Sequence, residues 1–371
     1  MKHKASVFAV GMLAALCAHA QSSVTIYGLI SLGVVHTDNV GGGSQNRLVA
    51  GPFQLSRIGF KGTEDLGGGN SVFFVLENGF NPDTGGLGQG GRFFGRAAVL
   101  GFNSNAYGSI WLGRQNDVAT DAMCIYESAC TFGGFGTHVG DNDNLFTTFR
   151  INNGVTYKSP NWAGVQVAAQ YGLSEAKTAR DNREYSASAK YEQGDLSLGA
   201  AVMNVDKPNS ATNQAGAVVG DYGFSSPFST SRFSGSAVSQ QRAEDIGASY
   251  KILGDGVITA LYTKSRFLYL DNSKVNISNS EVGFSKYITP SMRAGIGYFI
   301  TKADYDENLS SRSWRELNLG VNYFLSKRTD ISAVYIHQNA YGAGNAAYIY
   351  SEGKASGTSQ NSYGIGLRHR F

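Results

Sequence analysis

Three arginines occupy positions where strand alternation would turn their side chains towards water. Arg57 shares parity with Gly59 and Lys61, against Ile58 and Phe60. Arg96 lies opposite Ala97 and Val99. Arg150 shares parity with Asn152, Thr156 and Lys158, against Val155 and Tyr157. Counting residues to the nearest short turn places them roughly 15, 20 and 25 Å above a common rim, so they can meet at one level. Between Gln115 and Thr148 lies a long irregular segment with five acids, Asp117, Asp121, Glu127, Asp141 and Asp143. A basic wall facing acids across water would sort ions by charge. Arg114 and Lys158 are further candidates for that wall, or partners for the acids.

The remaining chemistry-bearing residues do not assemble into a catalytic signature. Gly86-Leu87-Gly88-Gln89-Gly90-Gly91 fits a dinucleotide pattern, but a strand follows it and not a helix that could receive a phosphate. Asp141-Asn142-Asp143-Asn144 lacks the glycine and distal glutamate of a calcium loop. His36, His138, His337 and His369 are scattered, and the sequence contains neither G-x-S-x-G nor H-E-x-x-H. No cofactor is expected. An outer-membrane enzyme or an adhesin barrel would need a serine–histidine site, a passenger domain or a plug helix, and none is legible.

The elements that must position these residues are strands. Alternation is clear at Val165–Tyr171, Tyr185–Tyr191, Met292–Ile300 and Leu317–Leu325, and it continues through Tyr363, Ile365, Leu367, His369 and Phe371. Met1–Ala20 has Lys2 and Lys4, an apolar stretch and a final Ala18-His19-Ala20. These are the marks of a secretory signal, with the mature chain expected from Gln21. Leu16 sits where a lipoprotein signal before Cys17 would need a small residue. Without Lys2 and Lys4 the chain has 29 basic and 28 acidic residues, which is no nucleic-acid footprint. The 48 glycines and 41 Tyr and Phe residues suit twisted strands and aromatic girdles. Outside the signal no apolar run is long enough for a membrane-spanning helix.

Short turns fall at 62–70, 103–107, 159–163, 193–195, 253–256, 289–291 and 326–330. Longer polar or glycine-rich stretches fall near 36–50, 81–90, 115–148, 173–182, 206–241, 269–276, 303–313 and 339–358. This pattern of connections predicts sixteen strands. At about 10 residues each they form an all-β, antiparallel transmembrane barrel, residues 21–371 being a single domain around an aqueous channel.

Several runs resemble the general porins of Gram-negative bacteria, in particular the betaproteobacterial and neisserial type. They include Ser23-Val24-Thr25-Ile26-Tyr27-Gly28 and the stretch from Ser56-Arg57-Ile58-Gly59-Phe60-Lys61-Gly62 to Gly67. Further matches are Phe94-Gly95-Arg96, Gly113-Arg114-Gln115, Asn153-Gly154-Val155-Thr156-Tyr157-Lys158-Ser159-Pro160, Leu325-Ser326-Lys327-Arg328-Thr329 and Gly366-Leu367-Arg368-His369-Arg370-Phe371. Ser31 stands where an Asp is usual, and 121–136 departs from the family pattern. The resemblance implies an outer-membrane channel for ions and small hydrophilic solutes, with the third external loop (115–148) folded inward against the arginines. It also implies a homotrimer, contact with lipid and lipopolysaccharide, a second loop (81–90) that latches onto a neighbouring subunit, and Phe371 as a signal for the barrel-insertion machinery. A mild anion preference is expected. Cys124 and Cys130 lie within the third loop; two nearby thiols in an oxidising compartment usually pair, although their spacing alone leaves free thiols open.

Overall fold

A computed structural model of the chain describes residues 23–306 and 311–371. The expected signal segment, Met1–Ala20, lies outside the described residues. One closed antiparallel sheet contains sixteen barrel strands. They are β1 (Ser23–Val40), β2 in two pieces (Gly43–Ala50 and Arg57–Gly67), β3 (Asn70–Asn81), β4 (Ala97–Ser104), β5 (Gly108–Gln115), β6 (Ile151–Lys158), β7 (Val165–Gly172) and β8 (Arg183–Gln193). The barrel continues with β9 (Leu196–Asp206), β10 (Val238–Ile252), β11 (Gly256–Tyr269), β12 (Lys274–Thr289), β13 (Met292–Tyr305), β14 (Arg312–Phe324), β15 (Thr329–Tyr341) and β16 (Ser359–Arg370).

The alternation read from sequence is the alternation of environments. On the outer face Val24, Ile26, Ile246, Val282, Ile296, Ile365 and Leu367 are exposed, as lipid-facing residues must be. Inward positions such as Thr263, Asn279, Thr301 and Gln338 are buried and polar. These inner side chains bond across strands, as where Thr301 donates to Asn279, and Asn279 to Thr263.

Three connections differ from expectation. The stretch 36–50, expected as a loop, is mostly a hairpin: β1 runs to Val40, and the upper piece of β2 pairs back onto it, Val35 opposite Arg47. The second strand is interrupted lower down, at 51–56, where Gly51 N donates to Ser31 O and Ser31 N donates to Ser56 Oγ. Ser31, the departure from the family pattern, is buried at this joint. The turn between β11 and β12 is only residues 270–273.

The barrel closes where β1 meets β16, with Leu29 opposite Arg370 and Thr37 opposite Ser362. Beyond this ladder Gly28 and Phe371 exchange both backbone hydrogen bonds. A Cβ on Gly28 would lie 2.5 Å from both the Phe371 ring and the Arg57 carbonyl, so the seam requires glycine. Gly28→Val is therefore expected to destabilise the closed barrel by about 1–3 kcal/mol. The readout is a lower temperature for loss of the compact band on unboiled gels; an unchanged midpoint would show that the seam tolerates a side chain.

Candidate functional site: the channel constriction

The third loop, L3 (residues 116–150), is fixed inside the barrel by packing. Its helix α1 (Val118–Met123) starts at Asp117, whose carboxylate accepts from Thr120 N at 2.8 Å and so caps the helix. Ala119, Ala122 and Met123 of α1, with Tyr126, Leu145 and Phe149, pack on the inward-facing Ala201, Met203, Ala243 and Leu261. The wall is kept small where L3 lands on it. A Cβ on Gly247 would sit 2.4 Å from the Tyr126 ring, and one on Gly295 would sit 2.4 Å from the Phe132 ring. Cys124 and Cys130 form a disulfide, Cα atoms 5.7 Å apart, which closes the turn between these two anchors.

Two cavities meet at L3. One, of about 550 Å³, is lined by Arg57, Arg96, Arg150, Arg293, Arg368 and Arg370, together with both cysteines and Phe132. The other, of about 1070 Å³, opens among L2, L5 and L8, the loops at 82–96, 207–237 and 342–358. Leu55, Phe146, Thr147 and Arg150 line both, so the two cavities meet at these residues.

Arg57, Arg96 and Arg150 line the same cavity, but only Arg57 stands on a strand, Arg96 and Arg150 being the last residues of L2 and L3. Arg57 starts the lower piece of β2, while Arg96 and Arg150 immediately precede β4 and β6. Sequence reasoning missed Glu77 on β3, which accepts from Arg96 Nε at 2.6 Å and from Tyr27 Oη at 2.9 Å, and lies 3.9 Å from Arg57 Nη1. It also left out Arg293, Arg368 and Arg370, although parity puts all three on the wet face. Asp330 pairs with Arg368 at 3.0 Å and with Arg370 at 3.3 Å. Arg150 and Arg293 have no carboxylate partner among the described residues: Arg150 Nη1 reaches Thr147 O, and Arg293 Nη2 donates to Ser285 Oγ.

Arg114 is not on the channel wall. It is buried, donating to Gly95 O and pairing with Asp221 at 2.5 Å, and it ties β5 to L5. Lys158 pairs with Asp121 at 2.9 Å and lies 4.5 Å over the Trp111 ring, clear of the arginine-lined cavity.

The five loop acids do not face the arginines as an acidic counter-wall. Asp117, Glu127, Asp141 and Asp143 are buried, because L3 uses their oxygens to satisfy its own donors and those of the barrel wall. Asp117 accepts from Thr120 and Asn144. Glu127 accepts from Thr137 and His138 N. Asp141 accepts from Phe146 N and Thr148 N, and Asp143 from Thr263. Only Asp121 is exposed, and Lys158 holds it. No carboxylate lines the 550 Å³ cavity.

Burial shifts these groups. It raises Asp117 and Glu127, and it pushes Asp141 up to about 7 with help from neighbouring Asp143. For His138 burial alone would lower the pKa, but Asp143 and Glu281 outweigh it and hold the imidazole well above its ordinary value. Asp143, which burial alone would raise, is held down by His138.

Docked L3 therefore binds more protons near neutrality than a free loop would. The contributions of Asp141 and His138 are fully present below their ordinary pKa values and are lost as pH rises through the raised ones. Asp143 acts in the opposite sense, its contribution being lost as pH falls below its ordinary value. Docking is expected to be firmer at pH 5 than at pH 9, seen as slower amide exchange in 116–150 after correction for intrinsic rates. Faster exchange at pH 5 would contradict this. The disulfide makes a second expectation: a maleimide should label the protein only after reduction, and reduction should raise open-channel noise. Full labelling without reductant would contradict the pairing.

Comparison with known proteins agrees with this geometry. Residues 5–342 match the family model described as Gram-negative porin. The chain is 27% identical over 419 residues to an outer membrane porin protein of Bordetella pertussis, covering 99% of this chain and 100% of the relative. In fold it is similar to an anion-selective porin from Comamonas acidovorans, with TM-score 0.75, 23% identity and coverage of 95% and 100%. It is likewise similar to the trimer form of OmpT, an outer membrane protein of Vibrio cholerae, with TM-score 0.70, 17% identity and coverage of 94% and 99%. The chain belongs to the Gram-negative porin family and is an outer-membrane β-barrel channel.

Proposed function

We propose that the channel passes small hydrophilic solutes by diffusion and prefers anions, with Arg57, Arg96 and Arg150 as its selectivity wall. One observation carries the reading: six arginines and no carboxylate line the cavity below the constriction. Glu77 and Asp330, the two acids paired with them, neutralise only part of that charge. Low-dielectric walls focus the remaining field on the passing ion. The structural relative from Comamonas acidovorans, described as anion-selective, supports the same sign.

Family and fold support the rest of the reading. Residues 1–20 are an export signal and 21–371 the barrel domain. The protein works as a channel without catalysis, His138 being sealed beneath L3 between Asp143 and Glu281. It assembles as a homotrimer in lipid and lipopolysaccharide, for which the trimer form of Vibrio cholerae OmpT is the precedent. Phe371, at the barrel seam, serves the insertion machinery. Residues 81–90 of the second loop are the latch to a neighbouring subunit, while Arg92, just beyond them, donates to Val219 O of L5 in the same chain.

Replacing Arg57, Arg96 and Arg150 together by Gln should lower the chloride-to-potassium permeability ratio severalfold and raise conductance, as read from single channels in a salt gradient. An unchanged zero-current potential would mean that these arginines merely solvate the lumen.

A further inference from the structure

Behind L3, on the side away from the channel, Glu127 and His138 of the loop meet Glu281 of β12. One ligand atom from each lies within 4.8 Å of the other two, and all three residues are buried. His138 Nε2 is 3.0 Å from Glu281 Oε2. A tetrahedral ion held at about 2.0–2.2 Å sets neighbouring ligands roughly 3.3–3.6 Å apart, so this pair needs to open by only a few tenths of an ångström. His138 Nδ1 is 2.6 Å from Asp143 Oδ2, the carboxylate–imidazole contact that orients a metal-binding histidine.

Hydrogen bonding leaves this cluster incomplete. Glu127 Oε2 faces the Cys130 sulfur at 3.5 Å, and a disulfide sulfur carries no hydrogen to donate. Asp143 Oδ1 is buried without a partner, and so are both carboxylate oxygens of Asp245, which is in register with Thr263. Four carboxylates surround one imidazole, and His138 is the sole cationic partner of Asp143 and Glu281 among the described residues. Buried carboxylate oxygens left without a donor are costly.

We propose that Glu127, His138 and Glu281 form a binding site for a divalent transition-metal ion that pins L3 to the barrel wall. One imidazole nitrogen with carboxylates and no thiolate suits Zn²⁺ better than Ca²⁺ or Mg²⁺. On binding, the ion takes the Nε2 lone pair and a Glu127 oxygen, and the Nε2 proton, with any proton that burial has kept on Glu127, is released to solvent. Nδ1–H remains bonded to Asp143.

The test uses protein extracted from membranes with its disulfide intact, stripped with a chelator and then exposed to Zn²⁺, Ca²⁺ or Mg²⁺. Metal content is measured by mass spectrometry, and unfolding by the gel shift. Wild type should retain Zn²⁺ at about one ion per chain and unfold at a higher temperature when loaded. Retention should fall at least tenfold in His138→Gln and Glu281→Gln but not in Asp121→Asn, which changes the exposed acid of the same loop. Equal retention in all four proteins, or a preference for Ca²⁺, would overturn the assignment. Should the variants not fold, X-ray absorption at the zinc edge of the wild type decides. Nitrogen and oxygen ligands including one imidazole are expected, whereas sulfur ligands or a shell of water alone would overturn the site.

Discussion

The burial of L3's carboxylates is the constraint on which the channel depends. A loop of this length inside a barrel has many backbone donors that neither water nor a sheet ladder can satisfy. Asp117, Asp141 and Glu127 supply the missing acceptors, and Asp143 bonds to Thr263 of the wall and to His138 of the loop. Acids committed in this way cannot also face the lumen. The electrostatics of the channel then follow from what remains: guanidiniums on the wall, two of which lack a carboxylate partner, opposite a loop surface of backbone, aromatic rings and a disulfide.

The same constraint explains the glycines of the inner wall. Tyr126 and Phe132 approach Gly247 and Gly295 so closely that no side chain fits beneath them. L3 is therefore seated by shape as well as by polar bonds. The disulfide between these two aromatic anchors limits how far one can lift without the other. Shape sets how wide the channel is, and the arginines set which ions it favours.

Much of the barrel was legible because lipid and water impose period two on a strand. The pattern of turns and loops between the alternating runs gave the strand count, and alternation assigned Arg57, Arg96 and Arg150 to the wet face. It failed at 36–50, where His36 to Asn39 and Gly41 to Arg47 are polar or glycine, so a strand there looks like a loop. It also failed for the acids of 115–148: an irregular segment has no period, and charge alone does not say which way a carboxylate points. One signal was present. Asp117 stands three residues before Thr120 at the start of a helix, a capping pattern that marks it as structural. Arg293, Arg368 and Arg370 had the right parity, but their level in the channel depends on barrel stagger, which the sequence does not contain.

The central claim is that the arginine wall is not balanced by L3. It is tested most directly by the zero-current potential of the unmodified protein across a potassium chloride gradient, repeated at rising total salt. The expected result is a preference for chloride that is largest in dilute salt and fades as the screening length falls from about 10 Å at 0.1 M to about 3 Å at 1 M. A preference for potassium in dilute salt would mean that carboxylates, and not guanidiniums, dominate the constriction, and would contradict the account.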